Sequence, residues 1–108
     1  NIKACLDSSP LNEKELKEIE EVREQLGTNF CRRCNYCAPC SVGIDISGVF
    51  LFAGYLNRYG LGDWARNRYS SLVVKASACI ECGKCETRCP YHLPIREMLK
   101  ECAQQFGE

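Results

Sequence analysis

The stretch CIECGKCETRCP, residues 79–90, sets cysteines at 79, 82, 85 and 89 and closes on Pro90. An earlier stretch, CRRCNYCAPC at residues 31–40, sets Cys31, Cys34, Cys37 and Cys40 three apart throughout. Eight of the ten cysteines in this 108-residue chain therefore fall in two tight runs. Disulfides, zinc and iron–sulfur clusters are the three chemistries that use so many thiols. Disulfide frameworks spread their cysteines across a fold, and neighbours three apart would close strained small rings. The spacing argues against them.

A cubane iron–sulfur cluster carries iron at alternate corners, and each iron takes one thiolate. A C-x2-C-x2-C loop wraps one such cluster and supplies three ligands; so tight a loop cannot reach the far corner. The run C-x2-C-x2-C-x3-C-P is that of bacterial ferredoxins, in which the fourth cysteine serves the other cluster. Residues 79–90 match it at every position. The first run departs slightly: Cys40 comes one residue early, and Ser41 stands where proline would follow. Paired with the full match, it can still exchange its fourth ligand. The expected sets are then Cys31, Cys34, Cys37 and Cys89 for one 4Fe-4S cluster, and Cys79, Cys82, Cys85 and Cys40 for the other. Local wiring, each run holding its own cluster, is the alternative. Zinc sites usually take paired C-x2-C knuckles or cysteine with histidine, and three cysteines in successive steps suit a cube better than a tetrahedron.

The rest of the chain reads as helix. Asn12 can cap a helix with Glu15 completing a capping box, and Leu11 and Leu16 are placed for a hydrophobic staple. Leu16, Ile19, Val22 and Leu26 recur as one apolar stripe, and Gly27 is a natural stop. Ser47 can cap a second helix carrying Val49, Phe50, Phe52, Ala53 and Leu56, which ends at Gly60 and Gly62. Asp63 can cap a third, WARNRYSSLVVKA, with Trp64, Tyr69, Leu72 and Val73 as core. Pro94 suits a first helical turn, and Ile95, Met98, Leu99, Cys102 and Phe106 mark a closing helix. No stretch alternates convincingly, so no strand is required. The expected fold is all-α and helical ferredoxin-like, about four to five helices around two 4Fe-4S clusters. Residues 1–28 would form a linker helix and residues 29–108 the two-cluster domain.

The combination CRRCNYCAPC…GIDI and ACIECGKCETRCPYHLPI resembles the C-terminal iron–sulfur domain of a subgroup of bacterial and archaeal aldo/keto reductase-like oxidoreductases. Tyr36, Cys37, Pro39 and Cys40 match the first run of that family, with Ser41 replacing its usual proline. The opening SSPLNEKE is similar to the helix that leaves the barrel in those proteins, so the resemblance spans nearly the whole chain. More broadly the chain resembles helical ferredoxins, whose cysteine runs are separated by helices, as the 38 residues between Cys40 and Cys79 would allow. The resemblance implies an N-terminal aldo/keto reductase barrel on the same polypeptide, with the catalytic residues there. The initial asparagine fits an excised C-terminal part.

Fourteen basic residues balance fourteen acidic ones, so nothing favours nucleic acid or an anionic membrane surface. No apolar run approaches a membrane span, no secretory signal opens the chain, and a cytoplasmic location is expected. The expected function is electron transfer between the two clusters and a redox donor or acceptor protein. The alternative is a structural iron–sulfur or zinc domain that serves docking alone. No acid, base or nucleophile converges, so this chain is not expected to be catalytic. Arg32, Arg33, Lys84 and Arg88 either offset cluster charge or are ordinary exposed cations. Gly83 would let backbone approach a bulky cofactor, and Tyr36 and Tyr91 would shield it from water. Cys5 reads as a terminal thiol, Cys102 as a core thiol, and His92, the single histidine, as a surface or packing residue.

Overall fold

Local signals set the first helices. The computed structural model describes residues 1–108 and contains six α-helices and no strand. A short helix α1, Ile2–Leu6, precedes α2, Glu13–Leu26. Asn12 caps α2 as expected: Glu15 N–H donates to Asn12 Oδ1 at 2.8 Å, and Asn12 N–H donates to Glu15 Oε2 at 3.0 Å. Gly27, at φ +64, ends it. No residue of α1 or α2 is buried, and the stripe of Leu16, Ile19, Val22 and Leu26 lies open, as does Leu11.

The core begins after the first cysteine run. Helix α3, Ile46–Arg58, buries Ile46, Val49 and Ala53 at helical spacing. Its cap is Asp45 rather than the expected Ser47, with Gly48 N–H donating to Asp45 Oδ1 at 3.0 Å. Asp45 directly precedes the first helical residue, whereas Ser47 lies two positions on, inside the first turn, and a Cβ at position 48 would run into the Asp45 carboxylate. Helix α4, Gly62–Ser70, buries Ala65 and Tyr69 against α3. Leu61 occupies its cap position, so Asp63 falls inside the first turn instead.

The third helix was expected to run on to residue 76, and it stops at Ser70. Lys75 explains the stop. Its Nζ donates to the carbonyls of Tyr69, Ser70 and Leu72 at 2.8, 2.6 and 2.7 Å. These carbonyls cluster at and just beyond the helix end, and an ammonium there has a charge that suits the negative end of the dipole. Because the helix ends there, Val73 is turned out and fully exposed rather than core. Trp64 is also 43 % exposed, standing edge-on to Tyr55 with Arg68 over its ring, so it covers the surface of α3 and α4 instead of filling the interior.

A 3-10 turn, Ala76–Ala78, leads into the second cysteine run. Helix α5, Lys84–Arg88, lies within that run, and α6, Ile95–Gln105, closes the fold. These two short helices, α1 and α5, account for the excess over the expected number. Ile95, Leu99, Cys102 and Ala103 form the inner face of α6, which packs on α3 and the 3-10 turn. Tyr69 locks this region. Its ring stacks on Phe106 with centroids 4.0 Å apart, its hydroxyl donates to Glu108 Oε2 at 2.6 Å, and it accepts from the buried Ala76 N–H at 2.9 Å. Burial, seconded by Glu108, raises the Tyr69 hydroxyl to about 12. No helix is long and apolar enough to cross a membrane.

Candidate metal centre

The two cysteine loops repeat one backbone design. In the first, Arg33 and Asn35 take left-handed conformations at φ 56 and 64; in the second, Glu81 and Gly83 do so at φ 56 and 74. Each residue has the same place relative to its cysteines. The N–H of Arg33 donates to Cys31 Sγ at 3.3 Å, and that of Glu81 donates to Cys79 Sγ at 3.4 Å. Backbone that alternates in handedness turns successive N–H groups to one side and makes a concavity suited to anions, iron–sulfur clusters among them. Asparagine and glycine are the residues that tolerate this backbone best. Gly83 meets that requirement with its positive φ, and among protein atoms a Cβ there would meet the Arg96 guanidinium at ordinary contact distance.

Two cavities lie against these loops. One is lined by Cys31, Cys34, Cys37 and Cys89, with Phe50, Tyr91, Leu93 and Ile95 supplying apolar wall. The other is lined by Cys40, Cys79, Cys82 and Cys85, with Val42, Gly83, Arg96 and Leu99 around them. Each cavity thus collects three cysteines of one run and the last cysteine of the other. The buried side chain of Ile46 belongs to both walls and separates them. Arg88 holds the two loops together, its guanidinium donating to the Pro39 carbonyl at 3.0 Å. No disulfide joins any two of the ten cysteines.

The surroundings of the thiols differ. Burial pushes the Cys37 thiol up, and neighbouring Cys31 adds to the shift. Burial likewise raises Cys85. Cys82 is exposed, and the Ser41 hydroxyl at 3.4 Å, followed by the Lys84 N–H, holds its thiol below the ordinary value. Arg32 lines the first cavity and is clasped between the rings of Phe30 and Tyr91, 4.2 and 4.0 Å from their centroids. Lys84 lines the second cavity, and Arg33 is exposed. Tyr91 reaches the first cavity wall; Tyr36 is two-thirds exposed and lines neither.

Residues 30–94 match a family model described as a 4Fe-4S dicluster domain. The chain belongs to that family. It is an iron–sulfur domain, and the match covers more than half its length, both cysteine runs included. No curated protein and no solved structure matches the chain.

The dicluster domain contains residues that spacing alone did not single out. Arg96 lines the second cavity and is fixed by Glu86, through its guanidinium at 3.0 Å and its backbone N–H at 2.9 Å. Lys100 pairs with Glu81 on the same side. Ser41 was noticed only as a departure from the family's proline. Cys5, His92 and Cys102 line neither cavity: Cys5 and His92 are exposed, and Cys102 is buried on α6, where desolvation raises its thiol to about 11.

Proposed function

We propose that this domain holds two 4Fe-4S clusters and passes electrons between them and a partner. The observation that carries the reading is the composition of the two cavities, four cysteines around each, drawn from both runs. Cys31, Cys34, Cys37 and Cys89 hold one cluster; Cys40, Cys79, Cys82 and Cys85 hold the other. The residues fit such a group. Four cysteines and several apolar side chains line each cavity, as a caged cluster requires. The left-handed turns aim N–H groups at sulfur, and no acidic side chain lines either cavity.

A bound cluster supplies reversible one-electron redox change. The chain supplies the rest. Phe50, Tyr91, Leu93 and Ile95 exclude water from the first site. Arg32, Lys84 and Arg96 bring positive charge to cavities that receive anionic cages. Ile46 is a single side chain between the two sites, so an electron has a short way to go from one to the other.

The resemblance of residues 31–46 and 78–95 supports a parent that is an aldo/keto reductase-like oxidoreductase of the cytoplasm. The partner is then the barrel on the same polypeptide, with a redox donor or acceptor protein as the other terminus. The open apolar stripe of α2 suits contact with further protein.

Anaerobic reconstitution tests the reading. About eight irons and eight sulfides per chain are expected, with bleaching and a paramagnetic signal on adding dithionite. Folded, oxygen-free protein that carries zinc, or clusters that no reductant touches, would return the domain to a structural role.

A further inference from the structure

The two cysteine loops share several features that bear on a cluster's potential. Both have paired left-handed residues, both give one backbone N–H to the sulfur of their first cysteine, and both leave their second cysteine exposed. Arg32 lines the first cavity, and Lys84 and Arg96 line the second. In the second, Arg96 is accompanied by the carboxylate of Glu86, which offsets its charge.

One difference lies at the residue after each run's last cysteine. Following Cys89 this is Pro90, which has neither an N–H nor a hydroxyl. Following Cys40 it is Ser41, whose Oγ lies 3.4 Å from Cys82 Sγ in the opposite run. That contact is the only hydrogen bond of the Ser41 side chain. A ligating cysteine is a thiolate and cannot donate, so the hydroxyl is the donor. Hydrogen bonds to cluster sulfur stabilise the more negative, reduced state and raise the potential.

We infer that Ser41 is a positioning residue that tunes one cluster alone, its hydroxyl raising the potential of the cluster held by Cys40, Cys79, Cys82 and Cys85. The first cluster has no counterpart to this hydroxyl, so the serine adds an electrochemical difference between two sites built on the same plan. The inference presupposes the two-cluster reading above and adds the cause of a difference within it.

The test is a redox titration of the anaerobically reconstituted protein, followed by paramagnetic resonance, on wild type, Ser41→Ala and Ser41→Thr. The affected signal is identified as the one that Cys82→Ser abolishes. In Ser41→Ala its reduction equilibrium is expected to move about tenfold towards the oxidised form, about 59 mV for one electron, with the other midpoint unmoved. Ser41→Thr keeps the hydroxyl and should restore the wild-type midpoint. Should Ser41→Ala fail to load iron, Ser41→Thr decides: a wild-type midpoint supports the inference, and a fall of the size expected for alanine overturns it. Two unmoved midpoints in an iron-replete Ser41→Ala protein overturn it as well, while leaving electron transfer standing. Wild-type protein without reducible clusters overturns electron transfer itself.

Discussion

Cys89 and Cys31 line one cavity, although they belong to different cysteine runs. Cys40 makes the reciprocal crossing to the cavity of Cys79, Cys82 and Cys85. The crossing occurs in both runs although the first ends one residue early. The consequence is a pair of crossed losses. Cys89→Ser should deplete the cluster of the first loop and spare the second, and Cys40→Ser should do the reverse. Iron and sulfide analysis, with Mössbauer or paramagnetic resonance on each variant, reads the outcome. Loss of the cluster nearest in sequence would show local wiring instead.

Lys75 is worth more than an ordinary surface cation. It gives hydrogen bonds to three carbonyls around the end of α4, and it lies 5.4 Å from the Tyr69 ring centroid. Lys75→Met keeps the stem and removes the donors. The variant should lose about 1.5–3 kcal/mol, the range for hydrogen bonds to a charged group. Denaturant midpoints of the cluster-loaded protein measure it, and a change within about 0.5 kcal/mol, the scale of neutral surface substitutions, would contradict it.

Much of this architecture is legible in the chain because its signals are local. Asn12 and Glu15 close a capping box within one turn, and the cysteine spacing declares the loops without reference to anything distant. Apolar periodicity places the inner faces of α3 and α6 correctly, since both are flanked by strong stops. It fails at Val73 because the pattern persists past the point where Lys75 ends the helix. Trp64 fails for another reason: a large ring at the rim of a small domain covers the core without entering it. The contacts of Ser41 and Arg96 are not legible in the chain. Ser41 meets a sulfur in the other run, and Arg96 reaches back from α6 to Glu86, and nothing in either neighbourhood encodes the partner.

Glu86 makes the clasp between α5 and α6 sensitive to acid. Arg96 hydrogen-bonds its carboxylate through guanidinium and backbone N–H, and these hold the carboxyl below its ordinary value of 4.5. A depressed folded-state value means that the unfolded chain protonates first as pH falls. The contribution of Glu86 is therefore complete above about pH 5, where the unfolded carboxyl is ionised, and is lost as pH falls through the lower folded value. The stability difference between wild type and Glu86→Gln should be constant from neutrality to that point and shrink below it. A difference that grows on acidification would reverse the sign. Both side chains are partly exposed, so added salt should also reduce the difference.

The first two helices should be dispensable to the cluster-bearing part. Neither α1 nor α2 buries a residue, and α2 is stabilised from within by its own cap. Their apolar residues are open to solvent, so removing them exposes little new surface on the rest. A chain beginning at Thr28 retains Phe30, which stacks on Arg32 beside the first cavity, and the whole of the core. It should reconstitute the same iron content, with stability within about 0.5 kcal/mol of the longer chain. Higher solubility is expected as well, because the stripe of Leu16, Ile19, Val22 and Leu26 goes with the deletion. A clear loss of iron or stability would mean that α2 packs on the domain in solution, and that residues 1–28 are part of it instead of a linker.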